Sequence, residues 1–109
     1  MFWEMPRHAL KNGATPPEIT VYNDGVNTGP TGIAIDPTGN VHISEYYSGT
    51  WVKYAPSSGK APLCVVSEGV GGPEGIALDG NGNVYVSNSR LNNITVYSQA
   101  TCAYIRTIT

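Results

Sequence analysis

Pro30-Thr-Gly-Ile-Ala-Ile-Asp36 recurs 43 residues later as Pro73-Glu-Gly-Ile-Ala-Leu-Asp79, and this pair of heptapeptides decides the fold. At the same offset Gly39-Asn40-Val41 becomes Gly82-Asn83-Val84, Ile43-Ser44 becomes Val86-Ser87, and Tyr54 becomes Tyr97. One gapless offset held over 25 positions marks tandem repeats, in which each unit buries its apolar surface on its neighbours.

Each unit divides into short runs of β-branched and aromatic residues separated by Gly, Pro, Asn and Ser clusters. In the first, strands are expected at Ile33 to Asp36, Val41 to Glu45, Thr50 to Ala55 and Leu63 to Ser67. The Asp36-Pro-Thr-Gly-Asn40 segment makes the first hairpin turn, because Pro presets φ and Gly accepts positive φ. The second unit repeats the order with Ile76 to Asp79, Val84 to Asn88, Asn93 to Ser98 and Tyr104 to Ile108. Four antiparallel strands per repeat predict an all-β chain of β-propeller blades. Upstream, Val21-Tyr-Asn-Asp-Gly-Val26 parallels Val65-Val-Ser-Glu-Gly-Val70, so Ile19 to Tyr22 reads as the outer strand of a preceding blade. The expected organisation is an irregular leader over 1–16, that outer strand within 17–28, one blade over 29–69 and a second over 70–109.

The order Gly-Pro-x-Gly-Ile-Ala-x-Asp, then Gly-Asn-Val-x-x-Ser, then Asn-x-Ile-x-Val-Tyr resembles the NHL-type repeat of six-bladed propellers, over residues 29–109. The resemblance implies a scaffold whose loops carry recognition, with activity left to those loops. Six blades of this length need more chain than 109 residues supply, so the ring is incomplete. Either the chain is a piece of a longer protein, or three copies assemble into a homo-trimer.

Composition agrees with short strands and tight turns. Gly supplies 13 and Pro 8 of the 109 residues, while charged residues are only 13%, about half the usual share. With 40% apolar residues the chain is expected to fold rather than remain disordered. The net charge is -2 and the six Lys and Arg are scattered, which argues against a nucleic-acid partner. No apolar run approaches the ~20 residues that span a bilayer, and the chain reads as soluble, in a compartment left open. Cys64 and Cys102 lack the paired spacing of a zinc site. They are expected as free, partly buried thiols, with a disulfide as the alternative in an exported chain.

Ligands of propellers meet the face made by the loops that enter the inner strand and those between the second and third strands. Here that face comprises 25–32, 45–49, 69–75 and 88–92. Tyr46, Tyr47, Glu74, Asn88 and Arg90 are its candidate contacts to a protein or glycan ligand, and stacking of the tyrosines on an adjacent blade is the plainer alternative. Glu74 stands in Pro73-Glu-Gly75, where gluconolactonase-like propellers carry a Pro-Asp-Gly cation ligand. The first unit has Thr31 there, and the other oxygens a hard cation needs are not identifiable. No metal site and no cofactor is therefore assigned.

Asp79-Gly-Asn-Gly-Asn83 reads as a turn, since position twelve of a calcium loop beginning at Asp79 is Arg90. Gly69-Val-Gly-Gly-Pro-Glu-Gly75 leads into a strand, which rules against a phosphate cradle. His42, aligned with Tyr85, is expected between blades, and no nucleophile elbow or Cys–His pair is visible, so no catalytic residue is assigned. Asn93-Ile-Thr95 fits a glycosylation acceptor but falls inside an expected strand. The reading is a non-catalytic binding scaffold, with a propeller enzyme of the lactonase or lyase type as the alternative.

Overall fold

The computed structural model describes residues 28–56 and 61–109. Eight strands run in chain order: β1 (Pro30–Ile35), β2 (Val41–Glu45), β3 (Thr50–Tyr54), β4 (Cys64–Val66), β5 (Pro73–Leu78), β6 (Asn83–Asn88), β7 (Asn93–Ser98) and β8 (Tyr104–Ile108). They form two four-stranded antiparallel sheets in the meander orders β1-β2-β3-β4 and β5-β6-β7-β8. The chain is thus all-β, built of two blades that do not close a ring among the described residues. The leader, and the outer strand expected at Ile19 to Tyr22, lie outside those residues.

Strands β2, β7 and β8 have the expected bounds, whereas β1 and β5 start three residues early. The Gly-Pro entry segment already belongs to the ladder: Pro30 pairs with Glu45 and Gly32 with Ser44, leaving Thr31 bulged between them. Blade 2 repeats this, with Pro73 on Asn88, Gly75 on Ser87 and Glu74 bulged. Proline is tolerated because it opens an edge strand, where its missing N–H leaves no ladder bond unmade.

The turns after β1 and β5 are organised by their aspartates. Asp36 Oδ1 accepts from Thr38 N (3.0 Å), Thr38 Oγ1 (2.8 Å) and Asn40 N (3.0 Å). Asp79 Oδ1 accepts from Asn81 N (2.8 Å) and Asn83 N (3.0 Å), while its Oδ2 takes Asn83 Nδ2 and Tyr85 Oη, each at 2.9 Å. The Asp79 segment is therefore a turn with its oxygens committed to local donors.

Alternation along the strands gives each blade two different faces. Val41, Ile43, Val52 and Tyr54 share the front of blade 1, and their repeat equivalents Val84, Val86, Thr95 and Tyr97 share the front of blade 2. The back of blade 1 carries His42, Ser44, Trp51 and Lys53, and it packs on the front of blade 2. Trp51, fully buried, is the wedge: it joins Val84, Val86 and Tyr97 in one core cluster, with Ile76, Leu78 and Val66 around it. Its ring meets Tyr97 edge-on at 5.3 Å and stacks on His42 at 5.7 Å. The inner strands approach so closely that a Cβ on Gly32 would lie 3.3 Å from the Gly75 Cα, which explains a glycine there.

Among the described residues, two side-chain hydrogen bonds and a disulfide also cross the blade boundary. Thr31 Oγ1 donates to Pro73 O (2.9 Å), and Lys53 Nζ donates to Gln99 O (2.6 Å). The third corrects the expectation of free thiols: Cys64 on β4 and Cys102 in the turn before β8 form a disulfide, with Cα atoms 6.8 Å apart. They occupy different positions in the repeat, but face-to-face packing brings the outer strand of blade 1 against the outer turn of blade 2. The back of blade 2 is exposed at Ile94 and Ile108, while Val96 on the same face is buried. Among the described residues no helix is long and apolar enough to cross a membrane.

Candidate functional site at the loop face

At one end of both blades the loops after β2 and β6 are held to the segments that enter β1 and β5. Tyr46 N donates to Gly29 O (2.8 Å) and Tyr47 N to Thr28 O (3.0 Å). In blade 2, Ser89 N donates to Gly72 O (2.9 Å) and Arg90 N to Gly71 O (3.2 Å). These bonds extend the ladders past the strand ends and fix the loops as rigid rims.

Tyr47 and Arg90 are repeat equivalents, and each lies across a glycine of the entry segment. Gly29 and Gly72 have φ of +66° and +60°, and a Cβ would come 2.5 Å from Tyr47 Cδ2 or 2.6 Å from Arg90 Cγ. A side chain at either glycine would strain the backbone and displace the residue above it.

Tyr46 packs edge-on against Tyr47, with ring centroids 5.4 Å apart, and the Arg90 guanidinium sits 5.4 Å above the Tyr46 ring. Tyr47, Tyr46 and Arg90 thus make one strip that crosses from blade 1 to blade 2. Below it, Gly29, Pro30, Thr31, Tyr46, Tyr47 and Glu74 line an open cleft of about 500 Å³. Glu74 also borders a second cleft of about 480 Å³ beside Ser87, Ile94 and Ile108, on the back of blade 2.

The bulge explains the position of Glu74, because a bulge bends its strand and re-aims the extra side chain. Thr31, on the equivalent bulge, spends its hydroxyl on Ser44 Oγ and Pro73 O, both at 2.9 Å. Glu74 is exposed and makes no hydrogen bond or ion pair among the described residues. Tyr46, Tyr47, Glu74 and Arg90, singled out from the sequence, are thus brought together. Asn88 lies differently: it is 2% exposed, with Nδ2 donating to Val86 O, Asn93 Oδ1 and Thr95 Oγ1 and Oδ1 accepting from Gly71 N. Its amide braces the rim of blade 2 from below.

Two buried acidic groups were not anticipated. Glu45, the repeat equivalent of Asn88, is 5% exposed. Burial pushes its pKa up, against hydrogen bonds from Thr28 and Thr50 that favour the carboxylate. The sequence signal was its alignment with Asn88, which marks a bracing position.

The second is Asp36, whose Oδ2 meets His42 Nε2 at 3.1 Å. Burial acts to raise the Asp36 carboxyl, but hydrogen bonds from His42, Thr38 and Asn40 outweigh it and hold it well below the usual range. Burial lowers the His42 pKa, opposed by Asp36 and assisted by the Lys53 charge. His42 lies between blades as expected and is fully buried, while the Asp36 side chain keeps 5% of its surface exposed. The equivalent pair in blade 2 is Tyr85 with Asp79, and both serve to hold the β1–β2 type of turn onto its sheet.

Among the described residues no three His, Cys, Asp or Glu converge as a metal-ion group. Asn93 opens β7, and the hydroxyl of Thr95 is buried in the Asn88 network. No family model and no curated protein matches the chain.

Proposed function

We propose that the chain is a segment of an NHL-type β-propeller acting as a non-catalytic scaffold, with its loop face as the recognition surface for a protein or glycan. The strip Tyr47–Tyr46–Arg90, continuous across the blade boundary and bordered by Glu74, carries this reading. Tyr and Arg are, with Trp, the residues enriched among binding hot spots, and rims fixed by backbone hydrogen bonds lose little entropy on binding. The buried Asp36–His42 pair, by contrast, has a structural task in the turn of blade 1.

The repeat supports the propeller reading in a second way. The back of blade 1 packs on the front of blade 2, so the back of blade 2 calls for another front. Further blades, from a longer chain or from other copies, would supply it. The interblade disulfide fits an oxidising, extracytoplasmic setting.

A displayed peptide library and an immobilised glycan array, each probed with the wild-type chain and with the Tyr46→Ala/Tyr47→Ala variant, test the proposal. Ligands bound by the wild type and lost by the variant are expected; equal binding by both would retire the loop face. A metal-dependent lactonase or lyase reading rests on Glu74 alone, where a hard cation needs six to eight oxygens. Calcium-dependent thermal stabilisation abolished by Glu74→Ala would favour that second reading.

A further inference from the structure

We infer that the cleft beneath the strip takes a saccharide, with one C–H face of a pyranose ring lying on Tyr47 and its hydroxyls bonded to Glu74. This rests on the loop face being a recognition surface, and it names the ligand class.

Tyr47 is 68% exposed although its ring is anchored. Gly29 backs it, and the Tyr46 ring meets it edge-on, so the side chain is held as a fixed plate with free surface toward the cleft. An aromatic face carries negative charge density and attracts polarised C–H groups. A pyranose presents such groups on one face and hydroxyls around its rim. The rim needs acceptors and donors that the protein has not already used. Glu74 offers two carboxylate oxygens with no partner among the described residues. Arg90 offers donors from the far end of the strip, where its guanidinium is fixed over Tyr46.

A peptide ligand is the weaker fit. Peptides and proteins anchor through side chains sunk into well-packed, desolvated pockets. This cleft is open, and Pro30 is the one aliphatic side chain among Gly29, Pro30, Thr31, Tyr46, Tyr47 and Glu74. A shallow site with an aromatic wall and a polar rim suits a ligand that is itself flat and hydroxylated.

Saturation-transfer NMR on the full chain tests the inference, with methyl glycosides of glucose, galactose, mannose and N-acetylglucosamine and the corresponding disaccharides as probes. At least one is expected to receive saturation mainly on the ring protons of a single face. Tyr47→Phe keeps the ring and is expected to keep the signal. Tyr47→Ala is expected to weaken binding about two- to tenfold, the span of one aromatic contact. Because Tyr47 is exposed, its variants should show wild-type circular dichroism. No transfer to any probe, or undiminished transfer with Tyr47→Ala, overturns the saccharide assignment. If peptides then bind in a manner dependent on Tyr46 and Tyr47, the recognition reading survives without it. If neither class responds to those residues, both fall.

Discussion

Reducing the Cys64–Cys102 bond should remove a large part of the stability of the two-blade unit. The cysteines lie 38 residues apart, and the intervening segment contains β5, β6 and β7. In the chain-entropy treatment, closing a loop of that length withdraws roughly 13 cal/mol/K from the unfolded chain, or about 3.9 kcal/mol at 25 °C. Domains of this size are typically stable by about 5–15 kcal/mol, so the crosslink accounts for a quarter or more of the total. With a urea m-value of about 1–3 kcal/mol/M, the unfolding midpoint should fall by about 1–4 M. The assay is equilibrium urea unfolding followed by tryptophan fluorescence, in which buried Trp51 reports the blade interface, with and without a phosphine reductant. Thiol titration in denaturant should find none free in the oxidised chain and two after reduction. The Cys64→Ser/Cys102→Ser variant should unfold with the reduced chain. Coincident curves for fully oxidised and fully reduced protein would refute the reasoning, since the bond would then restrain nothing in the unfolded ensemble.

Trp51→Ala should destabilise by about 3–5 kcal/mol, the usual loss for a buried large aromatic, read as a fall in urea midpoint. Stability should also fall in two steps on acidification, offset in part by Glu45, whose raised pKa makes the folded chain take up that proton first. The lowered His42 pKa means that the unfolded chain takes up that proton first, so stability falls as pH drops below 6.5; the depressed Asp36 pKa adds a further loss below 3.8. In His42→Gln the first step should vanish and the second shrink, because the His42 hydrogen bond leads those that hold Asp36 down, as measured by thermal melts across about pH 2–8. Ile94→Lys places a charge on the exposed part of the back of blade 2, and light scattering should show less self-association than for the wild type, judged against the 11.6 kDa monomer.

The blades were legible because their signals are local and doubled. Pro30 to Asp36 and Pro73 to Asp79 share turn chemistry and alternation, and two copies at one offset exclude coincidence. The early starts of β1 and β5 were not legible, because Pro suggests a loop and the bulges at Thr31 and Glu74 break the alternation there. The disulfide stood only as the alternative for a related reason. Repeat alignment compares like positions, whereas packing the back of one blade on the front of the next joins unlike ones, β4 with the turn before β8. The loop-face residues were legible as positions but not as partners: Tyr46 meets Arg90 only because the blades stack.

The equivalences also show how one repeat yields a site that neither copy holds alone. At the bulge, Thr31 closes the boundary by bonding Pro73 O, while the Glu74 carboxylate has no partner among the described residues. At the bracing position, Glu45 and Asn88 both turn inward to hold their rims. At the rim, Tyr47 and Arg90 occupy matched backbone but supply opposite chemistry, an aromatic face and a cation. The shared positions maintain the blade, and the differences between copies converge at one boundary, where one cleft is lined by tyrosines of the first blade and a carboxylate of the next. The cleft spans two blades and so depends on their staying packed, which makes the Trp51 wedge and the Cys64–Cys102 bond, though remote from it, set whether it exists.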